Sequence, residues 1–79
     1  MSRPANPYAP HEVAVSAAAG RPREVAGRAV ESIREQWLVE DRWWSGIPLR
    51  RHYLELVLAE GRCVVVYRDL ETGRWYEQR

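Results

Sequence analysis

The strongest constraint on the fold is the pattern of residues 51–79, RHYLELVLAEGRCVVVYRDLETGRWYEQR, in which three strand-like segments are separated by two glycine-containing turns. Leu54, Leu56 and Leu58 lie two residues apart, so they would share one face of a strand. The run Cys63–Tyr67, CVVVY, is rich in β-branched residues and is typical of a central strand. The pattern therefore predicts three antiparallel strands joined by two hairpins.

Both predicted turns carry residues that suit a tight reversal of the chain. Gly61, which follows Glu60, can adopt a positive φ, and Gly73 can take the left-handed position of a bulged hairpin. Asp69 can accept hydrogen bonds from the backbone of the second turn. A three-stranded meander cannot bury both of its faces, so we expect the first half of the chain to fold over it.

The first half gives weaker signals. Residues 1–10, MSRPANPYAP, hold three of the five prolines and predict a disordered tail, which leaves residues 11–79 as a single small domain. Val13 and Val15 alternate with polar or small neighbours, and this indicates a short strand. The sequence AGRP then predicts a turn, with a return strand at residues 23–26.

Residues 23–38 are compatible with either a helix or a strand. On a helix, Val30, Ile33, Trp37 and Leu38 would form one apolar stripe at near-helical spacing. In a regular strand, Val30 and Ile33 would fall on opposite faces unless a bulge came between them. The local pattern alone favours a helix, although Trp37 and Leu38 also have β character.

Charge and cysteine content exclude several classes of protein. Twelve basic residues, all of them arginine, against eleven acidic ones give a net charge of +1, which lacks the basic excess of a dedicated duplex-DNA binder. Cys63 is the only cysteine, so no intrachain disulfide is possible, and we predict a cytoplasmic protein. No segment approaches the ~18 apolar residues that a membrane span requires.

The residues that could carry catalysis are scattered. His11 and His52 have no further ligand at metal-binding spacing, and Cys63 is expected to be a small buried residue of an apolar strand. The carboxylate pair Glu40–Asp41 is better explained by solvation and ion pairing than by acid–base chemistry. We therefore predict that the chain is not an enzyme and binds no metal or cofactor.

Aromatic residues and arginines recur together in the second half. Adjacent residues of a strand point to opposite faces, so Trp43 and Trp44 cannot both enter one core, and one of them is expected to face a partner. Arg50 and Arg51 follow directly after the Gly46–Pro48 bend. Trp, Tyr and Arg dominate the energetics of protein interfaces. The candidate partner-binding residues are Trp43, Trp44, Arg42, Arg50, Arg51 and Tyr53.

Three other interpretations remain open. Aromatic rings can stack on the bases of a single-stranded nucleic acid while arginines contact its phosphates. The candidate residues for this alternative are Arg50, Arg51, Arg68, Arg74 and Trp75. Alternatively, all four tryptophans are packing residues covered by arginine stems. An unpaired sheet edge would also make a homodimer possible.

The second half of the chain resembles a known family of uncharacterised domains. Residues 39–79, VEDRWWSGIPLRRHYLELVLAEGRCVVVYRDLETGRWYEQR, are similar to the DUF6504 group and to the C-terminal region of ImuB-type proteins, which are Y-family-polymerase-like adaptors without polymerase activity. The resemblance rests on an acidic-Arg-Trp-Trp bend, a double arginine and a closing RDL–G–WY–QR pattern. The matching residues are Asp41, Arg42, Trp43, Trp44, Arg50, Arg51, Tyr53, Arg68, Asp69, Gly73, Trp75 and Tyr76.

This resemblance implies a mostly β module that is linked to DNA repair or translesion synthesis and carries no catalytic residue. The resemblance also favours a strand over a helix for residues 23–38. We therefore predict a small SH3-like barrel or strongly bent antiparallel sheet of five or six strands. The alternative is an α+β fold with a helix at residues 23–38 packed on the C-terminal meander.

Overall fold

The computed structural model describes residues 10–41 and 49–78, with only the backbone of Asp41. All regular secondary structure in these ranges is β-strand. Within the same ranges, no helix is long and apolar enough to cross a membrane. The strands are β1 (His11–Glu12), β2 (Val15–Ala18), β3 (Arg21–Val25), β4 (Arg28–Asp41), β5 (Leu49–Leu58), β6 (Cys63–Asp69) and β7 (Trp75–Gln78).

The seven strands form one antiparallel sheet in the order β1-β7-β6-β5-β4-β3-β2. Strands β1 and β2 lie at opposite edges of this order, yet only Val13 and Ala14 separate them in the chain. The Val13 amide donates to the carbonyl of Trp75 (3.0 Å), and the Ala26 amide donates to the carbonyl of Ala14 (2.8 Å). One continuous segment therefore holds both edges, and the sheet must curl toward a barrel.

This architecture confirms the prediction of a small, mostly β, strongly bent sheet. The number of strands is seven rather than five or six, because the N-terminal segment changes pairing partner and counts as two short strands. Strands β4 and β7 are also linked on the core side of the sheet. The Arg28 guanidinium at the start of β4 lies 3.3 Å from the Glu77 carboxylate on β7, although β5 and β6 separate these strands in the sheet order.

Residues 23–38 belong to β3, a turn and β4, so the alternative helix is wrong. The pairing of β4 with β5 shifts register twice, between Val30 and Ser32 and between Ile33 and Glu35. Such bulges add an unpaired residue to one strand. They bring Val30 and Ile33 onto the same face, where both pack against the core. An irregular strand can therefore place apolar residues with helix-like spacing on one face.

Two short turns flank β3. Ala19 and Gly20 have φ of 53° and 77°, and Ala26 and Gly27 have φ of 51° and 79°. Positive φ at both central residues of a two-residue loop defines a type I′ turn, whose twist matches that of the flanking strands. The AGRP turn is thus confirmed, while the return strand spans Arg21–Val25 and leaves Ala26 in the second turn.

The C-terminal meander agrees closely with its prediction. The amide of Leu58 donates to the carbonyl of Arg62 (2.8 Å), so the first hairpin has a three-residue loop in which Gly61 has a φ of 94°. In the second hairpin, the Asp69 carboxylate accepts a hydrogen bond from the Glu71 amide at 2.8 Å. Gly73 has a φ of 78°, as the left-handed position of that turn requires.

The core lies on the inner face of the bent sheet. Leu54, Leu56 and Leu58 are almost fully buried, and each contributes about 1.5–3 kcal/mol through burial. The remaining buried members of the core cluster are Val25, Val64 and Val66. Cys63 is exposed, so its prediction as a buried core residue is wrong. The reason is alternation: Val64 and Val66 face inward, which directs Cys63 and Val65 to the other face.

Candidate functional site

Four aromatic side chains form a continuous row across the outer face of the sheet. Trp37 on β4 is paired with Tyr53 on β5, which is paired with Tyr67 on β6, which is paired with Tyr76 on β7. Their ring centroids are separated by 5.4 Å, 4.9 Å and 5.1 Å in that order. We call these four residues the aromatic row.

The aromatic row follows from strand alternation combined with register. Leu54 and Val66 face the core, so their chain neighbours Tyr53 and Tyr67 face outward. Directly opposed side chains on one face of an antiparallel sheet lie about 4.5–5.5 Å apart, which is the distance range in which aromatic pairs interact favourably. The Trp37 and Tyr53 rings are nearly parallel, with an interplanar angle of 4°.

Arg51 lies over the centre of the aromatic row. Its guanidinium carbon is 4.6 Å from the centroid of the Tyr67 ring, within the range of a cation–π interaction. Its Nη1 donates to the Tyr53 hydroxyl at 3.4 Å, a long hydrogen bond. Its Nε is buried and has no hydrogen-bond acceptor among the described residues. Arg51 therefore links Tyr53 to Tyr67 on this face, while its Nε is enclosed by the fold.

The electrostatics of the row reflect this contact. Burial alone lowers the pKa of Arg51, but the hydrogen bond to Tyr53 and the phenol of Tyr67 outweigh it, and the pKa lies above its ordinary value. Burial raises the pKa of the Tyr67 phenol, and this effect exceeds the opposing influence of the Arg51 cation. Both groups thus keep their neutral-pH forms, a charged guanidinium over a neutral phenol.

The members of the aromatic row differ in accessibility. The Tyr67 side chain is only 3% exposed, whereas Trp37 is 41% exposed. The next residue in β4, Leu38, is 52% exposed and points to the opposite face. A partner approaching the outer face would therefore meet the Trp37 indole on β4, with the Tyr53 ring stacked beside it.

The predicted partner-binding residues are only partly brought together. Arg51 and Tyr53 both lie on the outer face and contact each other. Arg50 is the neighbour of Arg51 in β5 and points to the other face, where it approaches Glu40 at 3.8 Å. The other three predicted members, Arg42, Trp43 and Trp44, lie outside the described residues.

The residues of the nucleic-acid alternative are divided between two faces. Arg68 lies on the inner-face side, 6.0 Å from the centroid of the Trp75 ring. Arg74 follows the turn and forms a distant ion pair with Glu12 at 3.9 Å. Arg51 belongs to the outer face. These residues do not form one continuous basic track, because successive strand positions alternate in direction.

Sequence reasoning singled out Tyr53 but did not identify the aromatic row as a site. The position of the first hairpin turn does predict part of the row. A turn centred on Glu60 pairs residues that are equally distant from it, such as Tyr53 and Tyr67. A register error of one residue would place the two rings on opposite faces, so the row is visible only when the turn geometry is known.

The residues that the structure describes contain no group of three or more His, Cys, Asp or Glu side chains placed to hold a metal ion. Comparison with protein-family models gives no match. Curated proteins and solved structures likewise give no match. The resemblance to the DUF6504 group therefore stays a prediction from the sequence.

Proposed function

We propose that this chain is a non-catalytic interaction module that binds a protein partner through the aromatic row. The observation that carries the proposal is an exposed tryptophan in a stack of aromatic rings with an arginine over its centre. Trp, Tyr and Arg are the residue types most enriched among interface hot spots. Rigid rings lose little conformational entropy on binding, and the sheet already holds them in place.

The geometry supports binding on the outer face in particular. The core occupies the inner face, so substitutions at exposed positions of the row affect the core less than substitutions of Leu54 or Leu56 would. The Arg51 guanidinium lies over the Tyr67 ring and adds a positive charge beside the aromatic rings. A large apolar area with a few fixed polar groups is the usual composition of an interface centre.

The biological setting we propose is DNA repair or translesion synthesis. Its support is the sequence resemblance of residues 39–79 to the DUF6504 group and to ImuB-type adaptors. An adaptor acts by holding other proteins together, and this suits a small module that offers a binding surface. The proposed partner therefore belongs to the replication or repair machinery of the cell.

A capture experiment with a matched pair of variants tests the proposal. Trp37→Ala removes the exposed end of the row, whereas Leu38→Ala removes a comparably exposed side chain from the adjacent position on the other face. We expect Trp37→Ala to lose the repair or replication proteins captured by the parent chain, and Leu38→Ala to retain them. Circular dichroism and thermal unfolding verify that both variants are folded. Equal recovery by two folded variants contradicts the proposal.

Single-stranded nucleic-acid binding is the second candidate, and the contact between Arg68 and Trp75 supports it. A base could stack on the indole while the guanidinium contacts a phosphate. Fluorescence anisotropy with a short labelled oligonucleotide is the test, and binding should weaken steeply as salt increases. Arg68→Gln should weaken it more than Arg62→Gln, which changes an exposed arginine directly after the first hairpin loop. Absence of binding at low salt rejects this candidate.

A further inference from the structure

We propose that this chain forms a two-fold dimer in which the free edge of β4 pairs with β4 of a second copy. The inference goes beyond the proposed function, because it concerns the backbone edge of the sheet rather than its outer face. Two copies of one strand that meet across a two-fold axis perpendicular to the sheet run antiparallel and present the same residues to each other. We call residues 36–40, QWLVE, the open edge.

Strand β4 lacks a neighbour along most of its length on the side of β3. It is 14 residues long, yet its pairing with β3 is limited to Arg28 and Ala29. Beyond these residues, a cleft separates Gly20 and Arg21, at the tip of the β2–β3 hairpin, from residues 33–36 of β4. Unpaired backbone groups along a strand edge are a template for pairing with another chain. The described residues supply no strand for this side of the open edge.

The first part of this edge is protected against pairing, and the open edge is not. Both register shifts of β4 fall within residues 30–35, and this stretch carries three charged side chains. Bulges and charges are the usual means of preventing edge-to-edge association. Residues 36–40 continue in regular register with β5. Their centre is apolar and accessible, with Trp37 41% exposed and Leu38 52% exposed.

The direction of the backbone groups follows from the neighbouring hairpin. The Leu58 amide donates to the Arg62 carbonyl at 2.8 Å, so the even-numbered residues of β5 direct their backbone groups toward β6. The odd-numbered residues of β5 therefore face β4, where their partners within the open edge are also odd-numbered. The backbone N–H and C=O groups of Gln36, Leu38 and Glu40 consequently point away from β5 and toward a second copy.

Charge selects the register of the pairing. Opposed residues of an antiparallel pair share a face, so the two-fold axis must pass through a residue rather than between two residues. With Trp37 on the axis, Arg34 comes opposite Glu40 of the second copy, twice by symmetry. Moving the axis by one residue in either direction removes this opposition of unlike charges. Arg34 and Glu40 are exposed, and their ion pairs within the chain are long, at 3.8 Å each, so both side chains can turn toward the second copy.

This register also joins the two aromatic rows. Trp37 directs its backbone groups toward β5, so it would oppose Trp37 of the second copy as a non-hydrogen-bonded pair, in which side chains approach most closely. Aromatic pairs in directly opposed positions are favourable. Within one chain, Trp37 is already stacked on Tyr53 at 5.4 Å. The stack would therefore continue from one copy into the other, and the exposed side of the indole would be covered.

The test is sedimentation equilibrium of the full chain over a range of concentrations, with two charge-reversal variants. Arg34→Glu and Glu40→Arg each create two pairs of like charges in a homodimer, so each should weaken self-association about tenfold. In a heterodimer of the two variants, both pairs again have unlike charges. An equimolar mixture should therefore associate as tightly as the parent chain. A parent chain that stays monomeric at every concentration overturns the inference, as does a mixture that associates no better than the separate variants.

A control variant and a second measurement locate the interface. Arg62→Glu makes the same charge change at an exposed position away from β4 and should leave association unchanged. On dimerisation, hydrogen exchange should slow at the Leu38 amide but not at the Trp37 amide, which already faces β5. A dimer without added protection at Leu38 uses another surface and overturns the inference. The charge variants retain the whole aromatic row, so capture of a partner by the monomeric variants tests the proposed function independently.

Discussion

The two Ala-Gly turns on either side of β3 are sites of removable backbone strain. Ala19 and Ala26 adopt left-handed φ values of 53° and 51°. A residue with a Cβ pays roughly 1–2 kcal/mol in this region, whereas asparagine tolerates it through local hydrogen bonds of its side chain. Asn-Gly is accordingly the preferred pair in type I′ turns. We expect Ala19→Asn and Ala26→Asn each to stabilise the fold by about 0.5–1 kcal/mol.

The magnitude can be measured by chemical and thermal unfolding. For a domain of 60–100 residues, 1 kcal/mol corresponds to about 4–8 °C in Tm. The two turns lie at opposite ends of β3, so the double variant should gain nearly the sum of the two single effects. Urea titration monitored by tryptophan fluorescence gives the free energy of unfolding for each variant.

Ala59→Asn is the matched control. Ala59 lies in the exposed loop of the first hairpin, and its φ is outside the left-handed region. The same substitution there changes composition without relieving strain, so we expect no gain in stability. The reasoning is refuted if Ala59→Asn stabilises as much as the two turn variants, or if neither turn variant raises the free energy of unfolding.

The remaining predictions concern the core, the row and the thiol. Leu56→Ala should lower the free energy of unfolding by about 2–5 kcal/mol in urea titration. Leu70 is 37% exposed, so Leu70→Ala should lower it far less. The pKa of Tyr67 is raised when folded, so its contribution to stability is complete below the ordinary value of 10.0 and is lost as pH rises through the folded pKa; phenolate absorbance should show a late-titrating tyrosine that Tyr67→Phe removes. The exposed Cys63 should react completely with a thiol reagent without denaturant, and a protected thiol would contradict its placement.

The C-terminal meander is predictable because its signals are local. The spacing of Leu54, Leu56 and Leu58 gives the buried face, and Gly61 and Gly73 mark the reversals. These residues act through alternation and turn geometry, which involve only neighbours in sequence. No knowledge of distant contacts is needed to obtain three strands and their connections.

The first half is less predictable because tertiary pairing decides it. Val30 and Ile33 have the spacing of a helix. They lie on one face of a strand only because β4 contains two bulges where it pairs with Leu58 and Leu56. Local propensity is overridden here by the need to cover the meander. Nothing local shows that the stretch after His11 changes from one sheet edge to the other.

The candidate site shows the same division. Arg51 and Tyr53 could be proposed from residue type alone, because Arg and Tyr are common at interfaces. The aromatic row needs the registers of three strand pairs, and each register can fail by one residue. The split of the nucleic-acid set between two faces also follows from alternation, because Arg68 and Trp75 are paired on the inner face whereas Arg51 faces outward.

The N-terminal segment that holds both edges of the sheet has a consequence for local opening. Because β1 and β2 are separated by only Val13 and Ala14, thermal release of this stretch uncovers β7 and β3 in a single event. The amide protons of Val13 and Ala26 should therefore exchange with solvent at similar rates, although their hydrogen bonds lie at opposite edges of the sheet. Cooperative opening of this kind joins the two borders of the molecule into one unit of stability.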